Sequence, residues 1–439
     1  MDNTKTSDLR NDILNLVEDY SNINFKVKDF IPGVSEVPVS GKVIGSLEIQ
    51  NMVQASLDGW LTTGRFNNKF EEKLSSFLGI KCLLTVNSGS SANLVAFSTL
   101  TSPKLKERAI KKGDEIISVA AGFPTTVNPI IQFGAIPVFI DVKIPTYNID
   151  ENLIEEAITS KTKAIMLAHT LGNPFNIKKI KEICDKYNLW LIEDSCDALG
   201  SKFENKNVGT FGDLATLSFY PAHHITMGEG GAVFTNNIKL KRIAESFRDW
   251  GRDCYCEPGK DNTCNKRFGW KLGDLPFGYD HKYTYSHLGY NLKITDMQAA
   301  CGLAQLDRLE GFIKRRKENF NFLYKNLKGL EEFLILPESE KNSDPSWFGF
   351  AISLRQNNKY NRNDLVKYLN ENKIGTRLLF SGNVIKQPYM KDLTFKVHGD
   401  LKNTDFIMEN TFWIGLYPGL NFQHLEYAVN KFREYFNSK

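Results

Sequence analysis

Short apolar runs alternate with helix-like stretches along most of the chain. Between residues 46 and 310 the runs are Leu83–Val86, Glu115–Val119, Ala164–Ala168, Leu189–Ile192, Ala215–Phe219 and Gly231–Thr235. Strands buried on both faces have this composition, and their alternation with helices is typical of a mostly parallel sheet with helices on both faces. The pattern therefore predicts an α/β fold whose ligands bind beyond the carboxyl ends of the strands.

We predict an N-terminal extension and a smaller C-terminal domain on either side of this region. In residues 1–45, the apolar side chains that recur at helical spacing are Leu9, Ile13, Leu16, Val17 and Tyr20. A helix-like stretch from Leu303 to Leu330 precedes a strand–helix region that continues to Lys439. Because 439 residues exceed the usual size of a single core, we expect a large ligand-binding domain at 46–310 and a small domain at 311–439.

Charge and hydropathy narrow the choice of partners. The 55 basic and 51 acidic residues leave a net charge of only +4, without a long basic run, which argues against nucleic acid and anionic membranes as partners. No signal-peptide pattern and no 18-residue apolar window is present, so we expect a cytoplasmic protein. Seven cysteines without an export signal indicate thiols or metal ligands and argue against disulfides.

A turn of small residues follows the first predicted strand. The sequence from Asn87 to Asn93 is Asn-Ser-Gly-Ser-Ser-Ala-Asn, which is suited to opening a helix. Main-chain N–H groups at a helix start, together with the helix dipole, form a ready site for a phosphate. Gly89 and Ser90 are therefore candidate phosphate-binding residues, although a plain helix cap has the same composition.

Four further polar or aromatic residues follow other predicted elements. Asp194 follows the predicted strand Leu189–Ile192. Its carboxylate could keep a pyridine nitrogen protonated, or it could cap the next helix. Phe123 could stack on an aromatic ring or belong to the core. Ser218 ends another strand, where its hydroxyl could reach the same phosphate as Gly89. Asn291 is a polar residue between apolar neighbours. For both residues the alternative is that the side chain only stabilises a turn.

In order and spacing, these segments resemble the DegT/DnrJ/StrS family of fold-type-I pyridoxal-phosphate enzymes that act on nucleotide sugars. The resemblance implies that Gly89, Ser90 and Ser218 bind the cofactor phosphate and that Phe123 stacks on its ring. It also implies that Asp194 pairs with the pyridine nitrogen. Since the family's equivalent of Asn291 reaches the phosphate of a second subunit, the resemblance implies a homodimer with shared sites.

His223 departs from the family pattern. It lies five places after Ser218, in Tyr220-Pro221-Ala222-His223-His224, where the family has the lysine that forms an imine with the cofactor. An imidazole cannot form that imine, but it titrates near neutral pH and suits a general base. We therefore expect His223 to remove a proton from C4′ of pyridoxamine phosphate, which leads to dehydration of the sugar, with His224 as a supporting residue.

Four of the cysteines are spaced as metal ligands. Cys254 and Cys256 are separated by one residue, Cys264 follows after seven, and Cys196 lies 58 positions before Cys254. Four thiolates can hold zinc or a [2Fe-2S] cluster, and the C-x-C pair departs from the usual zinc spacing, which favours iron and sulfur. The alternative is that all seven cysteines are free thiols.

The histidine and the four cysteines together narrow the resemblance to a dehydrating branch of the family. This branch removes the C-3 hydroxyl of CDP-4-keto-6-deoxyglucose in 3,6-dideoxyhexose synthesis, with pyridoxamine phosphate and a [2Fe-2S] cluster. The implied partner is an NADH-dependent flavin and iron–sulfur reductase that feeds electrons to the cluster. The residues themselves reveal neither the nucleotide nor the configuration of the sugar.

Three alternatives stay open at this point. A nucleotide-sugar aminotransferase has the same fold but requires a lysine at position 223. A GDP-sugar 3-dehydratase also carries a histidine there and needs no cluster. A regulatory module stabilised by zinc and without turnover is the third possibility, in which the absence of a basic helix argues against DNA as the partner.

Overall fold

The computed structural model describes residues 3–26, 28–254, 256, 262–263, 265–356 and 359–437. In chain order its α-helices are α1 Asn3–Asn24, α2 Ser46–Leu57, α3 Arg65–Leu78, α4 Gly89–Leu100, α5 Pro124–Phe133, α6 Ile154–Ala157, α7 Ile177–Tyr187, α8 Ile238–Arg248, α9 Asp296–Leu306, α10 Leu309–Leu327, α11 Arg362–Glu371, α12 Lys402–Asn410 and α13 Phe422–Asn437.

The strands of the same residues form a main sheet, a small antiparallel sheet and a short ribbon. In chain order they are β1 Cys82–Val86, β2 Glu115–Val119, β3 Ile136–Ile140, β4 Thr162–Ala168, β5 Trp190–Asp194, β6 Lys202–Phe203, β7 Lys206–Asn207, β8 Leu214–Ser218, β9 Gly231–Thr235, β10 Leu334–Ile335, β11 Ser343–Asp344, β12 Gly349–Leu354, β13 Thr376–Leu378, β14 Lys396–Val397 and β15 Thr411–Gly415.

The main sheet has the order β1-β9-β8-β5-β4-β2-β3-β14. Strand β9 is antiparallel to both of its neighbours, and the other pairs are parallel. The predicted, mostly parallel sheet is confirmed, and each predicted apolar run overlaps a strand. Because β2, β4, β5 and β8 run in the same direction, their carboxyl ends meet at one edge, where the candidate residues lie.

Both faces of the main sheet are buried. On β2, Ile116 packs into a cluster with Val95 of α4, whereas the adjacent Ile117 packs into a second cluster with Ile180 of α7. Successive strand side chains point to opposite faces, so neighbouring apolar residues can both be buried only if helices cover both sides. This explains why the strands read as continuous apolar runs without alternation.

A second core lies in the C-terminal region. Strands β10, β12, β15 and β13 form an antiparallel sheet in that order, and Phe350, Phe412 and Phe432 are fully buried between this sheet and its helices. Two links cross the predicted domain boundaries: β14 pairs with β3 of the main sheet, and Val37 of the extension bridges Ile374. The boundaries at 45 and 310 therefore stay predictions.

The N-terminal extension begins with α1, which confirms the helical spacing of its apolar residues. This helix contacts α2, with Leu14 and Val17 partly buried, whereas Leu16 is 68% exposed. Among the helices that the structure describes, none combines the length and the apolar character needed to cross a membrane.

Candidate active site

Asp194 lies at the carboxyl end of β5, in the middle of the main sheet, and its carboxylate is held from two helices. Oδ2 accepts hydrogen bonds from Asn93 Nδ2 of α4 and Thr126 Oγ1 of α5, both at 2.7 Å. Oδ1 accepts from the main-chain N–H of Cys196 at 3.1 Å. Thr216 Oγ1 is 3.5 Å from Oδ1, but its single proton goes to the nearer Asn93 Oδ1 at 2.7 Å. A carboxylate offers about four lone-pair positions, so Oδ1 retains the capacity for a further donor while the group is fixed in orientation.

The small-residue turn opens α4, as the sequence predicts. Ser88 is the N-cap, and its Oγ accepts from Ser91 N at 3.0 Å. Gly89 packs directly against Ser218, since a Cβ at position 89 would lie 2.4 Å from Ser218 Cβ and 2.8 Å from its Oγ. The helix N-terminus, with Ser90 exposed on it, and the Ser218 hydroxyl thus form one cradle of donors.

Alanine at position 89 is expected to weaken binding of pyridoxamine phosphate by about 10- to 100-fold, because overpacking of this size costs about 1–3 kcal/mol. The methyl group would collide with Ser218 and displace its hydroxyl. Equilibrium titration followed by cofactor absorbance measures the affinity. Gly311→Ala in α10 is the matched control, since a Cβ there meets no atom within 4 Å; equal affinities of the two variants would contradict the phosphate cradle.

Phe123 and Asn291 are both accessible. Phe123 immediately precedes α5, is 51% exposed, and contacts Phe380 edge-on with ring centroids 6.0 Å apart. Asn291 is exposed, and its Oδ1 accepts from Lys293 Nζ at 2.9 Å. Exposure is compatible with ring stacking for Phe123 and with contact to a second subunit for Asn291, and both roles stay predictions.

His223 lies in the loop between β8 and β9, and its ring is held between two side chains. Phe348 contacts the ring with centroids 5.1 Å apart, and Asp197 Oδ1 lies 3.4 Å from Nδ1. Nδ1 is buried and has no hydrogen-bond partner among the described residues. The adjacent His224 differs, because its Nε2 contacts Ser346 Oγ at 2.8 Å in the interior, an arrangement that suits the supporting role predicted for it.

Burial sets the protonation states of this pair. Desolvation, and then the positive charge of Arg316, lower the pKa of His223 to about 4. Desolvation, and then the Asp194 carboxylate, raise the pKa of Asp197 to about 8. At pH 7 the imidazole is therefore neutral, as a base must be before it accepts a proton, and it faces a largely protonated carboxyl group.

Of the four cysteines that the sequence groups together, the structure brings Cys254 and Cys256 close to one another. Sγ of Cys196 belongs to the Asp194 end of the sheet, 3.2 Å from where a Cβ of Gly89 would be. Among the residues that the structure describes, the donor atoms of Cys254, Cys256 and His281 lie within 4.8 Å of one another, and Cys196 is not in this group. Cys264 lies outside the described residues, so the four-cysteine site stays a prediction.

The pair Cys254 and Cys256 borders a cavity of about 610 Å³. Charged and aromatic side chains line this cavity, among them Trp60, Arg65 and Arg248. The two thiols are thus accessible from the surface. We expect Cys82, Cys184 and Cys301 to be buried because their sequence neighbours are apolar; this is confirmed for Cys184 and Cys301, whose pKa values are raised to about 12 mainly by desolvation, and wrong for Cys82, which is only partly buried. Small solutes can therefore reach the Cys254–Cys256 pair without opening the core.

Sequence reasoning missed several residues of this region. Asn93 belongs to the small-residue turn already singled out, and its helical offset of four from Gly89 would have placed it on the same face. Asp197 follows Asp194 by three positions, a spacing that by itself indicates only a helix or turn. Thr126 and His281 carry no signal in the sequence, because their neighbours in space come from distant segments.

The chain belongs to the DegT/DnrJ/EryC1/StrS aminotransferase family, whose model matches residues 43–433. It is 66% identical to the lipopolysaccharide biosynthesis protein RfbH of Salmonella typhimurium, over 98% of both chains. It is 48% identical to a dTDP-4-dehydro-2,6-dideoxy-D-glucose 3-dehydratase of Saccharopolyspora spinosa, over 98% of this chain and 92% of the relative.

Solved structures show the same fold. A mutant of GDP-4-keto-6-deoxymannose-3-dehydratase with bound GDP-perosamine has a TM-score of 0.81 and 29% identity, over 90% of this chain and 99% of its own. The Escherichia coli GDP-4-keto-6-deoxy-D-mannose-3-dehydratase with bound hydrated pyridoxal phosphate has a TM-score of 0.81 and 30% identity, over 90% and 98%. The architecture is the type I fold of pyridoxal-phosphate aminotransferases, as the resemblance implied.

Proposed function

We propose that this protein is a pyridoxamine-phosphate-dependent CDP-4-keto-6-deoxy-D-glucose 3-dehydrase, which acts in 3,6-dideoxyhexose and O-antigen synthesis. The observation that carries the proposal is His223, a neutral imidazole held between Phe348 and Asp197 at the place where an aminotransferase needs its lysine. The similarity to nucleotide-sugar 3-dehydratases supports the reaction type. The CDP nucleotide rests on the sequence resemblance alone.

The residues of the site fit the cofactor. Oδ1 of Asp194 has capacity for the pyridine N–H, and the cradle of Gly89, Ser90 and Ser218 offers donors to a phosphate. Phe123 is exposed where it could cover a ring. When bound, pyridoxamine phosphate supplies an amine that condenses with the C-4 ketone and a ring that accepts electrons from its C4′ carbon.

His223 moves the proton in this scheme. Asp197 faces Nδ1, which leaves Nε2 to take the proton from C4′. Phe348 restricts the ring to one position, so the base does not have to be ordered during the reaction. With the cofactor bound, the electron pair that this proton leaves behind would expel the hydroxyl at C-3, β to the C-4 carbon, as hydroxide. No lysine is present to complete an amino transfer instead.

As the pH is lowered, kcat/KM for dehydration is expected to fall only below pH 5. A general base works in its unprotonated form, so its rate falls as the pH decreases through its pKa, which is about 4 for His223. The value of kcat/KM for dehydration should therefore be nearly constant from about pH 8 to 5. Thermal midpoints over the same range control for unfolding, and a transition near pH 6.5 would show that burial does not set this pKa.

We further propose that the enzyme carries a [2Fe-2S] cluster, with Cys196, Cys254, Cys256 and Cys264 as its ligands. Such a cluster supplies single electrons, which are needed because the sugar is two electrons short of the 3-deoxy product after the hydroxyl has left. The proposed donor is an NADH-dependent flavin and iron–sulfur reductase. Cys254 and Cys256 support the proposal by their mutual proximity and their surface cavity.

A cluster-free 3-dehydratase is the second candidate. It is favoured by the position of Cys196, whose Sγ lies beside Gly89 of the phosphate cradle and which is not grouped with Cys254, Cys256 and His281 among the described residues. In either case we propose a homodimer, in which Asn291 completes the phosphate site of the second subunit.

One experiment tests the proposal and separates the candidates. The protein is purified anaerobically, its iron and acid-labile sulfide are counted, and it is incubated with pyridoxamine phosphate and CDP-4-keto-6-deoxyglucose. Loss of the C-3 hydroxyl, with two irons per chain, is the expected result. Dehydration without iron supports the cluster-free enzyme, and a cofactor–protein imine trapped by borohydride would revive the aminotransferase.

A further inference from the structure

Arg316 of α10 is a fully buried arginine whose hydrogen bonds, among the described residues, all go to main-chain carbonyl groups. Nη1 donates to Phe348 O at 3.0 Å and to Trp347 O at 3.3 Å. Nη2 donates to His223 O at 3.2 Å and to Ala222 O at 3.4 Å. One guanidinium group therefore joins two loops that are more than a hundred residues apart in the sequence.

These two loops carry the base and the ring that confines it. His223 belongs to the first loop and Phe348 to the second, and their side chains meet with centroids 5.1 Å apart. Asp197 is near enough to interact electrostatically with Arg316, but among the described residues the guanidinium makes no ion pair. A charged group without an ion-pair partner is costly to bury, and carbonyl oxygens repay only part of that cost. An apolar side chain could supply the packing alone at this junction. We therefore expect the buried guanidinium to have a role in addition to packing.

We propose that Arg316 is a positioning residue of the active site, whose guanidinium fixes the His223 loop against the Phe348 segment and so sets the imidazole for proton transfer. The inference rests on the proposed role of His223 as the base. It requires arginine in particular, because a planar fork with two Nη groups reaches both loops at once, whereas the single ammonium group of lysine cannot.

Arg316→Lys tests this geometry while keeping a positive charge. We expect its kcat for C-3 dehydration to fall by about 10- to 100-fold, since a displacement of about 1 Å can cost a hundredfold. KM for the nucleotide sugar and the affinity for pyridoxamine phosphate should change little. Arg362→Lys is the matched control, because Arg362 also donates to two carbonyl groups, of Met408 and Thr411, in the small C-terminal region.

A second readout does not depend on turnover. Histidine C2–H exchange in deuterated buffer, measured by mass spectrometry on the protein without substrate, reports the environment of each imidazole. In Arg316→Lys and Arg316→Met, exchange at His223 should change at least about twofold, whereas exchange at His287, held between Ser102 and Ser246, should match the parent protein. If the Met variant does not fold, the Lys variant carries the comparison alone.

The possible outcomes separate this inference from the proposed function. If His223→Asn is inactive but Arg316→Lys retains the parental kcat and the parental exchange at His223, the positioning role is overturned and the base remains. A loss of cofactor affinity equal to the loss of kcat would show a general structural role and would also overturn it. If His223→Asn dehydrates the sugar normally, the proposed function itself fails, whatever the Arg316 variants show.

Discussion

Asparagine in place of His223 is expected to slow removal of the C-3 hydroxyl by about a hundredfold or more, the usual contribution of a general base. Asparagine keeps a similar size and a polar end, so the contacts with Phe348 and Asp197 should be largely preserved. Proton exchange at C4′ of bound pyridoxamine phosphate, followed by NMR in deuterated buffer, measures the step directly. Cofactor affinity should be close to that of the parent protein.

His398→Asn is the control for this substitution, because His398 lies near Glu156 beside the edge strand β14, which three other strands separate from β5 and Asp194. It should exchange the C4′ proton at the parental rate. Retained exchange in the His223 variant would remove the imidazole from the mechanism and direct attention to Asp197. Loss of cofactor binding together with exchange would instead assign His223 to the binding of the cofactor.

Serine at Cys256 is expected to eliminate the visible absorption of the cluster and the 3-deoxy product while sparing loss of the hydroxyl. A serine hydroxyl is a poor substitute for a thiolate as an iron ligand, and dehydration itself needs no external electrons. Iron and sulfide counts, the visible spectrum and product analysis with the reductase present are the measurements. Cys82→Ser, at the start of β1, is the matched control and should retain the iron.

Two further variants separate the possible ligand sets. With four thiolate ligands, Cys196→Ser should lose iron as Cys256→Ser does, and His281→Ala should keep it. The opposite result would place His281, which lies within 4.8 Å of both thiols, in the site and leave Cys196 to the phosphate cradle. If all these variants, and the parent protein, lack iron and still release the hydroxyl, the cluster-free dehydratase is the better assignment.

The fold is largely predictable from the apolar runs, and its exceptions have physical reasons. The run Ala164–Ala168 lies within β4, because a strand buried on both faces needs an uninterrupted apolar stretch. Strand β3 did not stand out, since Pro137 lies within it and proline is unusual in the interior of a sheet. The two-residue strand β14 depends entirely on tertiary contacts and has no local signal.

The positions of the site residues can be predicted where they follow from the order of the strands in the sheet. Asp194 and Ser218 end neighbouring parallel strands, so their proximity follows from the order of the sheet. Arg316 lies in the run Lys314 to Lys317, which by composition is a solvated helix face. Its burial could be suspected only because Phe312, Phe320 and Leu323 place it on the apolar stripe of α10. Which carbonyl groups it meets depends on contacts between distant segments.

The position of β14 at the edge of the main sheet bears on how this chain is synthesised. β14 covers the outer side of β3 and brings Lys396 to the buried carboxylate of Glu115, with Nζ and Oε1 2.6 Å apart. The ribosome makes every other strand of this sheet before β14, so β3 has an open edge from its own synthesis until residues 396–397 are made. Open edges pair readily with other chains, and the nascent protein therefore depends on protection of β3 until its last tenth has emerged.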